Sequence, residues 1–177
     1  TIFRKGYLDV INKTKTLEEI MACSGIQSDI LDYLQDILYT RVGRKNYKFY
    51  SNETGVHIEH KNNLSSDLAI YLRSVLTSDK ITNKYVNVPA KIYLEVDLKG
   101  ELEDMTETGY IFLKSQQLLN FGAERVIWIL TKPKLVIVAS QGGKWEENDW
   151  NKDVELLENQ YFNIGKYFEE EGINPGD

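Results

Sequence analysis

The chain has 177 residues, of which 42% are hydrophobic and 27% are charged, and its formal net charge is −6. This size allows one compact domain with a proper core. The acidic balance argues against a protein that coats nucleic acid by bulk electrostatic attraction, which requires clustered Lys and Arg. One cysteine permits no intrachain disulfide. No apolar run approaches the roughly 18 residues of a membrane span, and no signal segment is recognisable, so we expect a cytoplasmic protein without membrane contact.

Two helices are predicted in the N-terminal quarter of the chain. Thr16 and Glu19 have the spacing of a capping box and open the first helix. A break is expected at Ser24-Gly25, after which Ser28 can cap a longer amphipathic helix. The apolar face of that second helix is predicted to carry Ile30, Leu31, Leu34, Ile37 and Leu38.

From Tyr47 onward the apolar period shortens to two, which is typical of strands. Four strands are predicted there, with the sequences YKFYS (47–51), GVHIEH (55–60), SDLAIY (66–71) and KIYLEVDLK (91–99). The last alternates cleanly between apolar and polar residues, so we expect a half-buried strand. Its polar face presents Glu95, Asp97 and Lys99 in a row, because side chains two apart point the same way.

The second half of the chain predicts a helix, a strand pair and a short C-terminal unit. The helix covers about 104–121, carries Leu113, Leu118 and Phe121 near its apolar stripe, and stops at Gly122. RVIWIL (125–130) reads as a strand buried on both faces, with KLVIVAS (134–140) as its hairpin partner. A polar loop (141–150), a short strand (154–157) and a helix capped by Asn163 follow.

This order of elements predicts an α/β fold with a central mixed β-sheet flanked by helices. We expect a single domain over 1–177, with N-terminal helices at about 16–43 and the core at about 47–172.

The acidic residues of two predicted strands suggest phosphodiester hydrolysis. That reaction needs a metal that holds water and stabilises charge on the phosphate, and carboxylates are the ligands that Mg²⁺ prefers. Asp67 on one strand, together with the acid-x-Lys unit Asp97-Leu98-Lys99 and Glu95 on a neighbouring strand, supplies these groups. The competing interpretation is that the charged row is simply the solvated face of a structural domain.

Three segments, SDLAIY, VPAKIYLEVDLK and KSQQLLNFGAERVIWIL, resemble the Uma family of predicted restriction endonucleases, which has the PD-(D/E)xK nuclease fold. Asp67 matches the family's strand-opening Asp, Glu95-Val96 its Glu-Val strand, and Lys114 its helix Lys; 121–129 match its aromatic-Gly and Trp-Ile segment. The resemblance covers about 56–173.

The resemblance implies a restriction-endonuclease-like fold and a Mg²⁺- or Mn²⁺-dependent endonuclease that hydrolyses DNA as a homodimer. Asp67, Glu95 and Asp97 would hold the metal, and either Lys99 or Lys114 would serve the site.

Four positions depart from the family pattern. Ser66 replaces a usual Pro, Lys91 replaces an Asp, Asp97-Leu98-Lys99 replaces Leu-Ser-Pro, and Thr131 replaces an Asp after the Trp-Ile strand. The third departure restores the acid-x-Lys form of the wider superfamily. The departures leave open a second hypothesis, a catalytically inactive module that binds DNA or another protein.

Two further pairs of side chains are candidate ligand contacts. His57 and His60 are three apart on a predicted strand and face opposite sides, so they do not predict a zinc site. Trp145 and Trp150 have two interpretations, stacking on bases or covering a hydrophobic edge.

Overall fold

The computed structural model describes residues 12–14, 23–97 and 109–176. Its first helix, α1, spans Gly25–Ile37 and begins one turn earlier than predicted. The Ser24 hydroxyl accepts a hydrogen bond from the Gln27 backbone, and the Gln27 side chain accepts one from the Ser24 backbone. This reciprocal capping box, rather than Ser28, starts the helix. The predicted helix at Thr16 lies outside the described residues.

α1 continues into a π-helical turn, Leu38–Val42, and the chain turns away at Gly43, whose φ is +79°. Its apolar face matches the prediction, with four buried residues and one partly buried one, namely Ile30, Leu34, Ile37, Leu38 and Leu31.

Within the described residues, six strands form one mixed sheet in the order β1 to β6, with β3 and β4 parallel and every other neighbouring pair antiparallel. The strands are β1 (Tyr47–Glu59), β2 (Asn62–Leu72), β3 (Ile92–Asp97), β4 (Arg125–Leu130), β5 (Leu135–Ser140) and β6 (Lys144–Asp149). The predicted central mixed sheet and the β4–β5 hairpin are therefore confirmed.

Two strand predictions are wrong. The segments 47–51 and 55–60 belong to one strand, β1, which runs through a bulge between them. The predicted polar loop 141–150 contains β6, which pairs with β5 along its whole length. Its run of charged residues suits an exposed edge strand and conceals the alternating pattern.

The second helix, α2, spans Tyr110–Phe121 and stops at Gly122 as predicted, where φ is +128°. Residues 98–108 lie outside the described part. Leu113 is exposed, contrary to the prediction, because the buried face of α2 is centred on the polar residues Lys114 and Ser115. That face consists of Ile111, Lys114, Ser115, Leu118 and Leu119.

The C-terminal part forms a hairpin and a short helix. β7 (Val154–Leu157) pairs with β8 (Gln160–Phe162) in a separate small sheet, and α3 spans Ile164–Glu171. The Asn163 side chain accepts a hydrogen bond from the Lys166 backbone at 2.9 Å, so the predicted cap is confirmed. In the residues that the structure describes, no helix combines the length and the apolar character needed to cross a membrane.

Two apolar cores cover the two faces of the main sheet. Residues of α1, α3 and the β7–β8 hairpin pack in the first, and residues of α2 pack in the second. β3 contributes Ile92, Leu94 and Val96 to the first core and Tyr93 to the second. The strand is thus buried on both faces and not half-buried, and Glu95 points to the side that α2 covers.

Candidate functional site

The hydrogen-bond ladder between β2 and β3 stops where the predicted acids begin. Paired residues run from Ile70–Ile92 to Leu68–Leu94. Beyond that point side chains take over: the Asp67 carboxylate accepts a hydrogen bond from the Val96 backbone at 2.8 Å, and the Ser66 hydroxyl donates to the Leu94 carbonyl at 3.0 Å. This replacement fixes Asp67 next to the C-terminal end of β3.

A bulge in β1 lies opposite Asp67. The register moves from the pair Ser51–Leu68 to the pair Thr54–Ser66, so β1 has one extra residue there. Asn52 and Glu53 in the bulge have left-handed φ values of 71° and 51°, which for Glu costs on the order of 1 kcal/mol. The bulge places the charge of Glu53 near Asp67, a position that strand patterning did not reveal.

Gln27 ties α1 to the same end of β3. Its side-chain nitrogen donates to the Val96 carbonyl at 2.8 Å, while its side-chain oxygen completes the capping box of α1. Both backbone polar groups of Val96, which lies between Glu95 and Asp97, are therefore held by side chains. The Ser24-x-x-Gln27 spacing is a readable capping motif, but it carries no sign of the contact with Val96 that brings Gln27 to the site.

Lys114 points from α2 into the site. Its ammonium nitrogen is 2.9 Å from Glu95 Oε1 and donates to the Tyr110 hydroxyl at 3.2 Å. It also lies 5.5 Å and 5.4 Å from the ring centroids of Tyr110 and Trp128, within the range of cation–π attraction. Lys114 and Glu95 are only 6% and 7% exposed.

Trp128 and Tyr110 flank the buried pair of Glu95 and Lys114. Trp128 lies beside Glu95 in the parallel β3–β4 register, and its indole nitrogen donates to the buried Ser115 hydroxyl at 2.9 Å. Tyr110, whose hydroxyl contacts Lys114, is 54% exposed and was not singled out in the sequence.

Among the described residues, the acids at this end of the sheet outnumber the cations. Burial raises the pKa of Glu95 to about 7, although the Lys114 ammonium lowers it, and the Asp67 charge raises it further. Burial also raises the pKa of Asp67; the Val96 N–H and Lys114 lower it, and the charges of Glu53 and Asp97 raise it. Burial alone would lower the pKa of Lys114, but the Glu95 carboxylate raises it overall. Lys114 is therefore a cation at neutral pH.

Four of the five predicted site residues meet at the end of β3, namely Asp67, Glu95, Asp97 and Lys114. Lys99 lies outside the described residues. The interpretation of the charged row as a solvated face is wrong for Glu95, which is buried under α2.

The structure also places the substituted position Thr131. Its backbone donates to the Asp97 carbonyl at 2.9 Å, so it adjoins the site. Its buried hydroxyl has no hydrogen-bond partner within the described part of the chain.

The predicted stacking residues lie elsewhere. Trp150 is 4% exposed and packs edge-on against Phe168, so base stacking is excluded for it. Trp145 stacks on Phe112 and is partly buried. The interpretation that these residues cover hydrophobic surface is the one that fits their contacts.

The acids were tested as a metal site by their geometry and chemistry. Across 12–14, 23–97 and 109–176, no three His, Cys, Asp or Glu side chains lie close enough together to hold an ion. Mg²⁺, however, is usually bound through one or two carboxylates, with waters and substrate phosphate completing its shell. Asp67 and Asp97 are both partly exposed and electrostatically coupled, so they fit that mode. Glu95 is already paired with Lys114.

Comparison with known proteins gives a likeness of fold. No family model matches the chain, and no curated protein matches its sequence. The fold is similar to that of a solved structure described as a "putative nuclease belonging to DUF820" from Anabaena variabilis ATCC 29413, with a TM-score of 0.60 and 14% sequence identity, over 81% of this chain and 78% of that chain. The likeness fits the predicted restriction-endonuclease-like fold. Membership of the Uma family stays a prediction.

Proposed function

We propose that this protein is a divalent-metal-dependent endonuclease that hydrolyses phosphodiester bonds in DNA. The observation that carries the proposal is the convergence of Asp67, Asp97 and the buried Glu95–Lys114 pair where the β2–β3 ladder ends. The likeness of fold to a protein described as a "putative nuclease" supports it.

Asp67 and Asp97 are the residues that would hold Mg²⁺ or Mn²⁺. When bound, such an ion supplies a polarised phosphate and a water of lowered pKa. Asp67 is oriented by the Val96 N–H, and the backbone carbonyl of Asp97 is fixed by the Thr131 N–H. Both carboxylates are partly exposed, so substrate can reach them.

Lys114 and Glu95 have complementary tasks in this proposal. Lys114 stays protonated and offsets negative charge that develops on the phosphate. Glu95, with a pKa of about 7, can accept or release a proton at neutral pH, as a general base or acid requires. Lys99, the alternative lysine for the site, would orient the attacking water, and that role stays a prediction.

A second candidate function, an inactive interaction or DNA-binding module, is favoured by one observation. The Asp that the resembled family carries after its Trp-Ile strand is replaced by Thr131, whose hydroxyl has no partner among the described residues. Such a module would retain the fold and bind without cleaving.

Incubation with supercoiled plasmid in Mn²⁺ separates the two functions. The wild type is compared with Asp97→Asn, which removes a carboxylate charge at the site, and with Asp36→Asn, which removes one from the exposed face of α1. We expect nicking by the wild type and by Asp36→Asn, and none by Asp97→Asn. Intact plasmid in all three samples would contradict the endonuclease proposal.

The homodimer and the cytoplasmic location implied at the outset are also proposals. Two copies would allow cleavage of both strands, and sedimentation of the purified protein measures whether the copies associate.

A further inference from the structure

We propose that a second site, a polar groove beside the β1–β2 hairpin, binds a single-stranded stretch of the nucleic acid substrate. A base would stack on Tyr85 and a phosphate would contact Lys84. This Tyr85 groove is also lined by His57, Asn63, Thr82 and Lys80. The inference extends the proposed function, on which it rests for the identity of the ligand.

Backbone pairing fixes Tyr85 in place. The next residue, Val86, adds to the edge of β1: it accepts a hydrogen bond from the His57 backbone at 2.8 Å and donates to the Gly55 carbonyl at 3.0 Å. A side chain at Gly55 would overlap the Tyr85 ring, so the ring lies directly against the strand backbone. Tyr85 is nevertheless 60% exposed. A ring supported on one side and open to solvent is a ready stacking platform.

The groove has an excess of cations in an otherwise acidic chain. It encloses about 630 Å³, and its charged lining consists of Lys80, Lys84 and Asp79, with His57 as a further titratable group. The Lys80 ammonium donates to the Val75 carbonyl at 3.0 Å, which holds it near the groove, whereas Lys84 is exposed. Against a net charge of −6, this local excess favours an anionic ligand.

The position of the groove suits a nucleic acid strand that continues to the site of Asp67 and Asp97. Asn63 and Asp67 lie four residues apart on β2, a separation of about 13 Å at about 3.3 Å per residue. A strand held by Tyr85 and Lys84 can therefore extend toward Asp67 and Asp97. The expected ligand is single-stranded, because only an unstacked base offers its face to an aromatic ring.

The test is binding of a fluorescently labelled single strand of about 12 nucleotides, measured by fluorescence anisotropy. EDTA is present so that cleavage cannot occur. Tyr85→Ala and Tyr85→Leu remove the ring, and Leu keeps an apolar contact with Gly55. Tyr85→Phe keeps the ring. Tyr161→Ala is the matched control, since Tyr161 is 48% exposed on β8.

We expect the dissociation constant to rise roughly ten-fold in Tyr85→Ala and Tyr85→Leu, and to stay unchanged in Tyr85→Phe and Tyr161→Ala. Lys84→Gln should reduce the slope of log affinity against log salt by about 0.7. Lys152→Gln, in the exposed turn before β7, should leave that slope unchanged.

The groove proposal would be overturned by wild-type protein that fails to bind the single strand, or by equal weakening of binding in Tyr85→Ala and Tyr161→Ala. Single-strand binding that depends on Tyr85, together with an absence of plasmid nicking, would contradict the endonuclease proposal alone. Plasmid nicking and single-strand binding that are both unchanged in every Tyr85 variant would contradict the groove proposal alone.

Discussion

The buried pair of Glu95 and Lys114 is the residue-level feature on which the site depends. Each group is more than nine-tenths inaccessible, so neither is well solvated and each relies on the other. Removing one partner of such a pair leaves an uncompensated buried charge, which costs more than removing both.

We therefore predict that Lys114→Met, which leaves the buried Glu95 carboxyl without its cation, lowers the free energy of unfolding at pH 8 by about 3 kcal/mol. Adding Glu95→Gln to that variant should recover most of the loss. Urea unfolding of the wild type, both single variants and the double variant measures the coupling. If the double variant is as unstable as the sum of the singles, the two groups are not paired.

The raised pKa of Glu95 predicts a pH dependence of stability. Its ordinary value is 4.5 and its folded value is about 7, so the folded protein keeps this proton over a range in which the unfolded chain has lost it. The contribution is complete below about pH 4.5 and is lost as the pH rises to about 7, by up to about 3 kcal/mol.

Urea unfolding between pH 4.5 and pH 8 of the wild type and of the Glu95→Gln, Lys114→Met double variant isolates this effect, because the remaining titratable groups are shared. The stability of the wild type relative to the double variant should fall over this range. A constant difference would show that burial does not raise the pKa of Glu95.

At the scale of elements, Gln27 joins α1 to β3 through both ends of one amide. Gln27→Glu keeps the oxygen that accepts from Ser24 but replaces the nitrogen that donates to the Val96 carbonyl. Gln27→Leu removes both contacts. The pair of variants thus separates capping of the helix from positioning of the strand.

We expect Gln27→Glu to retain the helical signal of the wild type while losing about 1–2 kcal/mol of stability and most nicking activity at neutral pH, since a carboxylate oxygen then faces a carbonyl oxygen. At acid pH the introduced carboxyl is protonated and can donate, so its stability should approach that of the wild type. Circular dichroism and urea unfolding at pH 4.5 and pH 7.5 measure this. Wild-type stability of Gln27→Glu at both pH values, with a loss in Gln27→Leu alone, would indicate a capping role alone.

The local sequence pattern predicted the helices and strands better than it predicted what packs against them. The alternation in β3 correctly separated Leu94 and Val96 from Glu95 and Asp97, but it could not show that α2 covers the charged face. Glu95 is buried through a partner 19 positions away, Lys114, which helical periodicity alone would assign to a solvated position. The bulge at Asn52 and Glu53 depends on left-handed residues that carry no glycine signal.

At the scale of the whole molecule, the site is assembled from elements that are far apart in the sequence. β2 supplies Asp67, β3 supplies Glu95 and Asp97, α2 supplies Lys114 and α1 supplies Gln27. The resemblance to a family assigned Asp67, Glu95 and Lys114 to one site from the sequence alone. Ordered motifs encode long-range contacts that composition and periodicity do not. Gln27 and Tyr110 match no such motif, and only their contacts revealed them.

The central claim is that Asp67 and Asp97 together bind a divalent cation, and thermal unfolding with and without millimolar Mn²⁺ tests it most directly. Asp67→Asn and Asp97→Asn are suitable variants, since Asn can still accept the hydrogen bond that Asp67 takes from Val96. Asp36→Asn again serves as the control. At a ten-fold excess over the dissociation constant, Mn²⁺ should raise the melting temperature of the wild type and the control by roughly 3–6 °C, and neither site variant should respond. The same shift in all four proteins, or in none, would contradict the claim.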